Sequence, residues 1–166
     1  MKAAAPATRT KVADEVWLAV ALLHRECPER PDFSVEEIME RAARAAGKEP
    51  LRPGVYVHIV QHCVANRPPN PGRYRMLFET APGRRRLFRN GDSYDPARED
   101  SKIVPVREDV PSEYLELLNW YRTWSQDSIE ERIKNDPLLA LYGDGKDLWA
   151  DEKADDYVRR LREGWE

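Results

Sequence analysis

Cysteine is nearly absent from this 166-residue chain, and the two that occur, Cys27 and Cys63, cannot build the disulfide framework of a small secreted domain. Reduced, buried thiols in a cytoplasmic protein are the expectation. Long apolar runs are missing too: the longest, Val16 to Leu23, has eight residues, against the roughly 20 needed to cross a bilayer. No membrane partner is expected. The start, MKAAAPATRTK, has no apolar stretch directly behind it and does not read as a secretory signal. Catalytic signatures are lacking as well: no glycine-rich phosphate loop, no GxSxG elbow, and no cysteine–histidine pair with a third orienting group. The chain is expected not to be an enzyme, and no catalytic residue or cofactor is assigned.

Strong charge of one sign is also lacking, since 27 basic and 30 acidic side chains leave a net charge of −3. The pI near 5.7 argues against tight unspecific binding to nucleic acid. The total conceals an asymmetry: residues 1–110 carry 19 basic and 16 acidic groups (19 − 16 = +3), and residues 111–166 carry 8 and 14 (8 − 14 = −6). Within residues 52–107 there are 11 basic and 5 acidic groups (11 − 5 = +6), which suits an anionic partner.

What the chain does have is punctuation, including 13 prolines. A helix is predicted from Thr10 to Glu26, apolar almost all round at 16–23 and so central to the core, and Pro28 ends it. Ser34 and Glu37 have capping-box spacing and Gly47 is a C-terminal stop, so a second helix spans 35–46. A third runs from Gly54 to Asn66. It carries an apolar stripe (Tyr56, Ile59, Val60, Cys63, Val64) and a mostly hydrogen-bonding one (His58, Gln61, His62, Ala65, Asn66). Beyond the loop RPPNPG, the runs 74–79 and 85–89 predict a hairpin with an arginine-loaded turn. After a polar connector (92–110), Tyr114, Leu117, Leu118, Tyr121 and Trp124 make residues 112–126 an amphipathic helix that packs on the core or pairs with a copy of itself.

Three helices followed by a basic hairpin is the order of a winged helix, a helix-turn-helix variant, so the fold class expected is mainly α with a small β-hairpin. The chemistry of that order is double-stranded DNA binding, in which a helix offers donors and acceptors to base edges and a wing meets phosphate. His58, Gln61, His62 and Asn66 are the candidate base readers. Arg52 and Arg67 are placed on phosphate, and Arg84, Arg85 and Arg86 on the wing. His58 and His62 also have the spacing of helical metal ligands, but the segment lacks the glutamate of the zinc-protease helix and Cys63 belongs to the apolar stripe, so no metal site is assigned.

The C-terminal part carries two further elements, Gly143-Asp144-Gly145-Lys146-Asp147-Leu148-Trp149 and Asp156-Tyr157-Val158-Arg159-Arg160-Leu161-Arg162-Glu163-Gly164-Trp165. Over about 30 residues this segment resembles the toxin-wrapping tail of type II antitoxins of the VapBC type. The resemblance implies a PIN-type ribonuclease toxin as partner. Leu148, Trp149, Tyr157, Leu161 and Trp165 would be the anchors, and Lys146, Arg159, Arg160 and Arg162 candidates for the cation that enters the toxin's carboxylate cluster. Aromatic anchors in a short polar tail are what interface hot spots look like, and an arginine or lysine among metal-binding carboxylates would exclude metal or RNA. That family usually joins its tail to a smaller, β-rich DNA-binding domain, so the resemblance covers the tail alone.

The organisation expected is therefore a winged-helix domain over 1–110, a dimerising helix over 111–126 and an acidic toxin-binding tail over 127–166. The function expected is that of a cytoplasmic antitoxin that represses its own operator as a homodimer. The alternative is a winged-helix DNA-binding or protein-interaction regulator whose C-terminal helix packs on its own core, with no toxin.

Overall fold

The computed structural model describes residues 10–47 and 51–135, with side chains through residue 126. It is mainly helical, with a small three-stranded antiparallel sheet. The chain divides into two compact units, Met1–Ser128 and Ile129–Glu166. The amphipathic segment expected to stand apart from the first domain thus belongs to the first unit.

Helix α1 (Val12–Glu26) buries residues around most of its circumference, with Val16, Trp17 and Val20 fully enclosed, as its run of apolar residues requires. Strand β1 (Phe33–Ser34) leads directly into helix α2 (Val35–Ala46). The capping box forms as spaced: Ser34 Oγ accepts from the Glu37 N–H at 3.2 Å, and Glu37 Oε2 accepts from the Ser34 N–H at 2.8 Å. Gly47 closes α2 in the left-handed conformation (φ 58°), where a side chain would be strained.

The third helix is shorter than its sequence pattern suggests. After Gly54 (φ 95°) it runs as one α turn, α3 (Val55–Val57), and continues as a π turn over His58–His62. It stops four residues before Asn66, because the Cys63 N–H reaches back to His58 O (3.0 Å) and the Ala65 N–H turns outward to Leu77 O (2.7 Å). The hairpin strands are β2 (Leu77–Ala81) and β3 (Arg84–Leu87), so Tyr74 to Met76 lie before the first strand and Phe88 and Arg89 beyond the second. The turn is Pro82-Gly83; the three arginines sit on β3 itself, not in the turn. Sheet order is β1-β3-β2, with Phe33 opposite Arg85, Leu77 opposite Leu87, and a register shift between Glu79 and Ala81.

A 3₁₀ turn at Ser112–Tyr114 precedes helix α4 (Leu115–Asn135), which starts later and runs further than the predicted 112–126. Its apolar stripe packs on the chain's own core. Leu117 and Tyr121 are buried, the Tyr121 hydroxyl donates to Phe88 O, and the Trp17 ring meets Tyr121 edge-on at 5.5 Å. Trp124 lies against His24 (4.6 Å between rings) and carries the Arg89 guanidinium 4.3 Å above it. The stripe on which a dimer contact through 112–126 was expected is therefore used within the chain. Among the described residues no helix is long and apolar enough to cross a membrane.

Candidate functional site

The region expected to meet DNA is assembled from α3, the loop 63–76 and the hairpin. Its pivot is Arg98, delivered by a 3₁₀ turn (Pro96–Arg98) and fully buried. Its guanidinium donates to five carbonyls: Arg67 O (2.6 Å), Tyr74 O (2.6 Å), His62 O (2.8 Å), Gln61 O (3.0 Å) and Pro68 O (3.4 Å). A helix end presents carbonyls without intrahelical partners, and a five-donor fork suits them. Arg98 thereby replaces the helical turn that sequence periodicity predicted, and it fixes the proline-rich loop against α3.

The same loop passes so close to α3 that only glycine fits at position 72, where a Cβ would lie 2.7 Å from His62 Cβ and Cγ. His62 and His58 meet edge-on, ring centres 4.9 Å apart. Burial, followed by the neighbouring His58 and Arg98, lowers the His62 pKa. His58 Nδ1 is 2.8 Å from Gly54 O, so that nitrogen carries the proton if the contact is a hydrogen bond. Cys63 is fully buried, and burial pushes its thiol well above the ordinary range. Among the described residues no group of three or more histidine, cysteine or carboxylate side chains converges as a metal site.

The other side chains assigned to DNA already have partners within the chain. Gln61 Nε2 donates to Pro68 O (2.7 Å), and Asn66 pairs with the Glu79 backbone in both directions (3.0 and 2.9 Å), extending β2 sideways. Arg67 holds the Glu79 carboxylate with two donors at 2.7 Å. Arg85, expected exposed on the wing, is only 1% exposed; it donates to Glu79 Oε1 (3.0 Å) and Ile59 O (3.3 Å). Hydrogen bonding from Arg67 first, and the charges of Arg85 and Arg67, keep the Glu79 carboxyl below the usual range.

Arg84 donates to Asp32 Oδ1 (2.6 Å), and Thr80 Oγ1 donates to the other oxygen (2.6 Å). Burial works upward on the Asp32 pKa, and the bonds from Thr80 and Arg84 outweigh it and hold it low. Arg86 makes a two-pronged pair with Asp92 (2.6 and 2.8 Å) and lies 4.5 Å over the Phe78 ring. Arg52 donates to Glu15 and to Thr10 O (2.7 Å). Charge-assisted bonds of this kind contribute about 1.5–3 kcal/mol when shielded, so a phosphate has to compete with an intact partner at each arginine.

What remains exposed on α3 is apolar: Tyr56 at 58% and Val57 at 37%. Arg73, at the end of the loop, is exposed and has no ionic partner among the described residues. Sequence patterning placed Tyr56 on the apolar stripe and gave Arg73 no role. The flanking acids Glu79 and Asp92, each within about one strand length of Arg84-Arg85-Arg86, were the available signal that the run is paired. The nine positions assigned to the toxin contact, Lys146, Leu148, Trp149, Tyr157, Arg159, Arg160, Leu161, Arg162 and Trp165, lie outside the described residues. No protein family, curated protein or solved structure matches the chain.

Proposed function

We propose that the chain is a two-unit regulator of the antitoxin type. The first unit is a winged-helix variant that engages operator DNA, and the second captures and neutralises a PIN-type ribonuclease. One observation carries the reading: the division at Ser128/Ile129 falls beside the start of the acidic tail, so all nine residues of the antitoxin resemblance belong to a unit of their own. The winged-helix assignment draws support from the element order α1-β1-α2-α3-β2-β3 combined with the sheet order β1-β3-β2.

The test is affinity capture from host lysate with the full chain and with a full-length variant carrying Tyr157→Asp, Leu161→Asp and Trp165→Asp. Retention by the unaltered chain alone of a small ribonuclease with a carboxylate active site is the expected result. Identical sets of captured proteins would end the antitoxin reading.

A second reading of the first unit, a protein-interaction module, is favoured by the internal pairing of Arg67, Arg84, Arg85 and Arg86 together with the exposure of Tyr56 and Val57. Titration with its own promoter fragment separates the two. Preference for that fragment over random DNA supports the operator, and loss of a captured protein on Tyr56→Ser supports the module.

A further inference from the structure

Away from α3, the connector after Asp100 and helix α4 enclose a half-open groove of about 350 Å³, within the range of small-molecule pockets. Its floor is apolar, formed by Ile103, Pro105, Leu118 and Tyr121. Tyr121 is fixed there, since its hydroxyl is engaged by Phe88 O on the far side. The polar lining includes Arg107, Arg122 and Asn119, all exposed, and among the described residues no carboxylate lines the groove.

Neither Arg107 nor Arg122 has an ionic partner among the described residues. Most arginines of the hairpin and α3 region, by contrast, are matched to an acid: Arg52, Arg67, Arg84, Arg85 and Arg86 each have one. Two unmatched guanidinium groups beside an apolar floor select for a ligand with both characters. The planar fork of arginine meets a carboxylate with two parallel hydrogen bonds, and the floor offers nothing polar to a second charge.

We propose that this groove binds a small organic monocarboxylate, its aliphatic or arylalkyl body on Ile103, Pro105, Leu118 and Tyr121 and its carboxylate held by Arg107 and Arg122. The bound molecule bridges the connector to α4, so its occupancy stabilises the folded chain. This inference does not depend on the antitoxin reading.

The experiment uses the full-length protein with octanoate and 4-phenylbutyrate, their uncharged amides, and inorganic phosphate, followed by two-dimensional NMR and by thermal melting. Saturable shifts confined to residues 103–107 and 118–126, including the Asn119 side-chain amide, are expected with the carboxylates, accompanied by a raised melting temperature. The amides should bind at least about tenfold more weakly, and Arg107→Gln or Arg122→Gln should each weaken the carboxylates by about tenfold, the loss of one charge-assisted pair. Both arginines are exposed, so these variants fold. Absence of saturable shifts, equal binding of the amides, shifts spread over other surfaces, or phosphate binding as well as the carboxylates would each overturn the proposal.

Discussion

His24 is a side chain that folding requires to be uncharged. It is 3% exposed, boxed by Phe33 and Trp124, and its Nε2 accepts from the Leu87 N–H at 3.4 Å. Burial first, then the charges of Arg89 and Arg86, bring its pKa from 6.5 down to about 3. As pH falls below 6.5 the unfolded chain takes up a proton that the folded chain refuses until about 3, so the stability from this group is complete above 6.5 and declines through that window. The expected loss is about 1.4 kcal/mol per pH unit. Urea midpoints between about pH 7 and about pH 5 should fall more steeply for the native sequence than for His24→Gln, and parallel slopes would refute the assignment.

Glu79 poses the opposite case, a carboxylate that must stay charged because Arg85 behind it is buried. Glu79→Gln should cost about 3 kcal/mol, since it strands a guanidinium. Combining it with Arg85→Met should recover most of that loss. Chemical denaturation of the single and double variants checks the coupling.

At the scale of elements, local signals and distant ones divide cleanly. Helices α1 and α2 were legible because what bounds them is nearby: Pro28 beyond one, and Ser34, Glu37 and Gly47 around the other. Helix α3 was legible only at its start, where Gly54 stands. Its end is set by Arg98, 36 residues beyond His62, and no periodicity within 54–66 reports that. The arginines of β3 were read as a free cationic wing because a charge count cannot distinguish a paired group from an unpaired one; Asp32 reaches Arg84 from 52 residues away. The short strand β1 went unread, since two residues give no alternation to detect.

Arg98→Met follows from this as an element-level prediction. With five carbonyls left without their donor, residues 61–74 should lose hydrogen-exchange protection together while α2 keeps its own, at a stability cost of about 2–4 kcal/mol. Uniform loss of protection across all helices would instead make Arg98 a global determinant.

At the scale of the whole molecule, charge bears on the operator proposal. The first 110 residues carry a net +3, and the arginines nearest to α3 are matched to carboxylates, so few cations are available to displace counterions from DNA. Binding to an operator should therefore depend weakly on salt, with a slope of log K against log salt shallower than about −3. Anisotropy titrations across a salt series measure this. A slope near −6 or steeper would mean that the internal pairs open on DNA and that Arg67, Arg84 and Arg86 turn to phosphate.

The carbonyl cage around Arg98 also bears on how the chain is made. Synthesis runs from the N-terminus, and α1, α2 and the strands are all complete as sequence before residue 98 is added. The end of α3 and the loop beyond it have no partner for their carbonyls until that arginine clears the ribosome. During this interval the nascent chain holds two finished helices beside an unfinished third, and Arg98 is the step that commits the segment to its native turn.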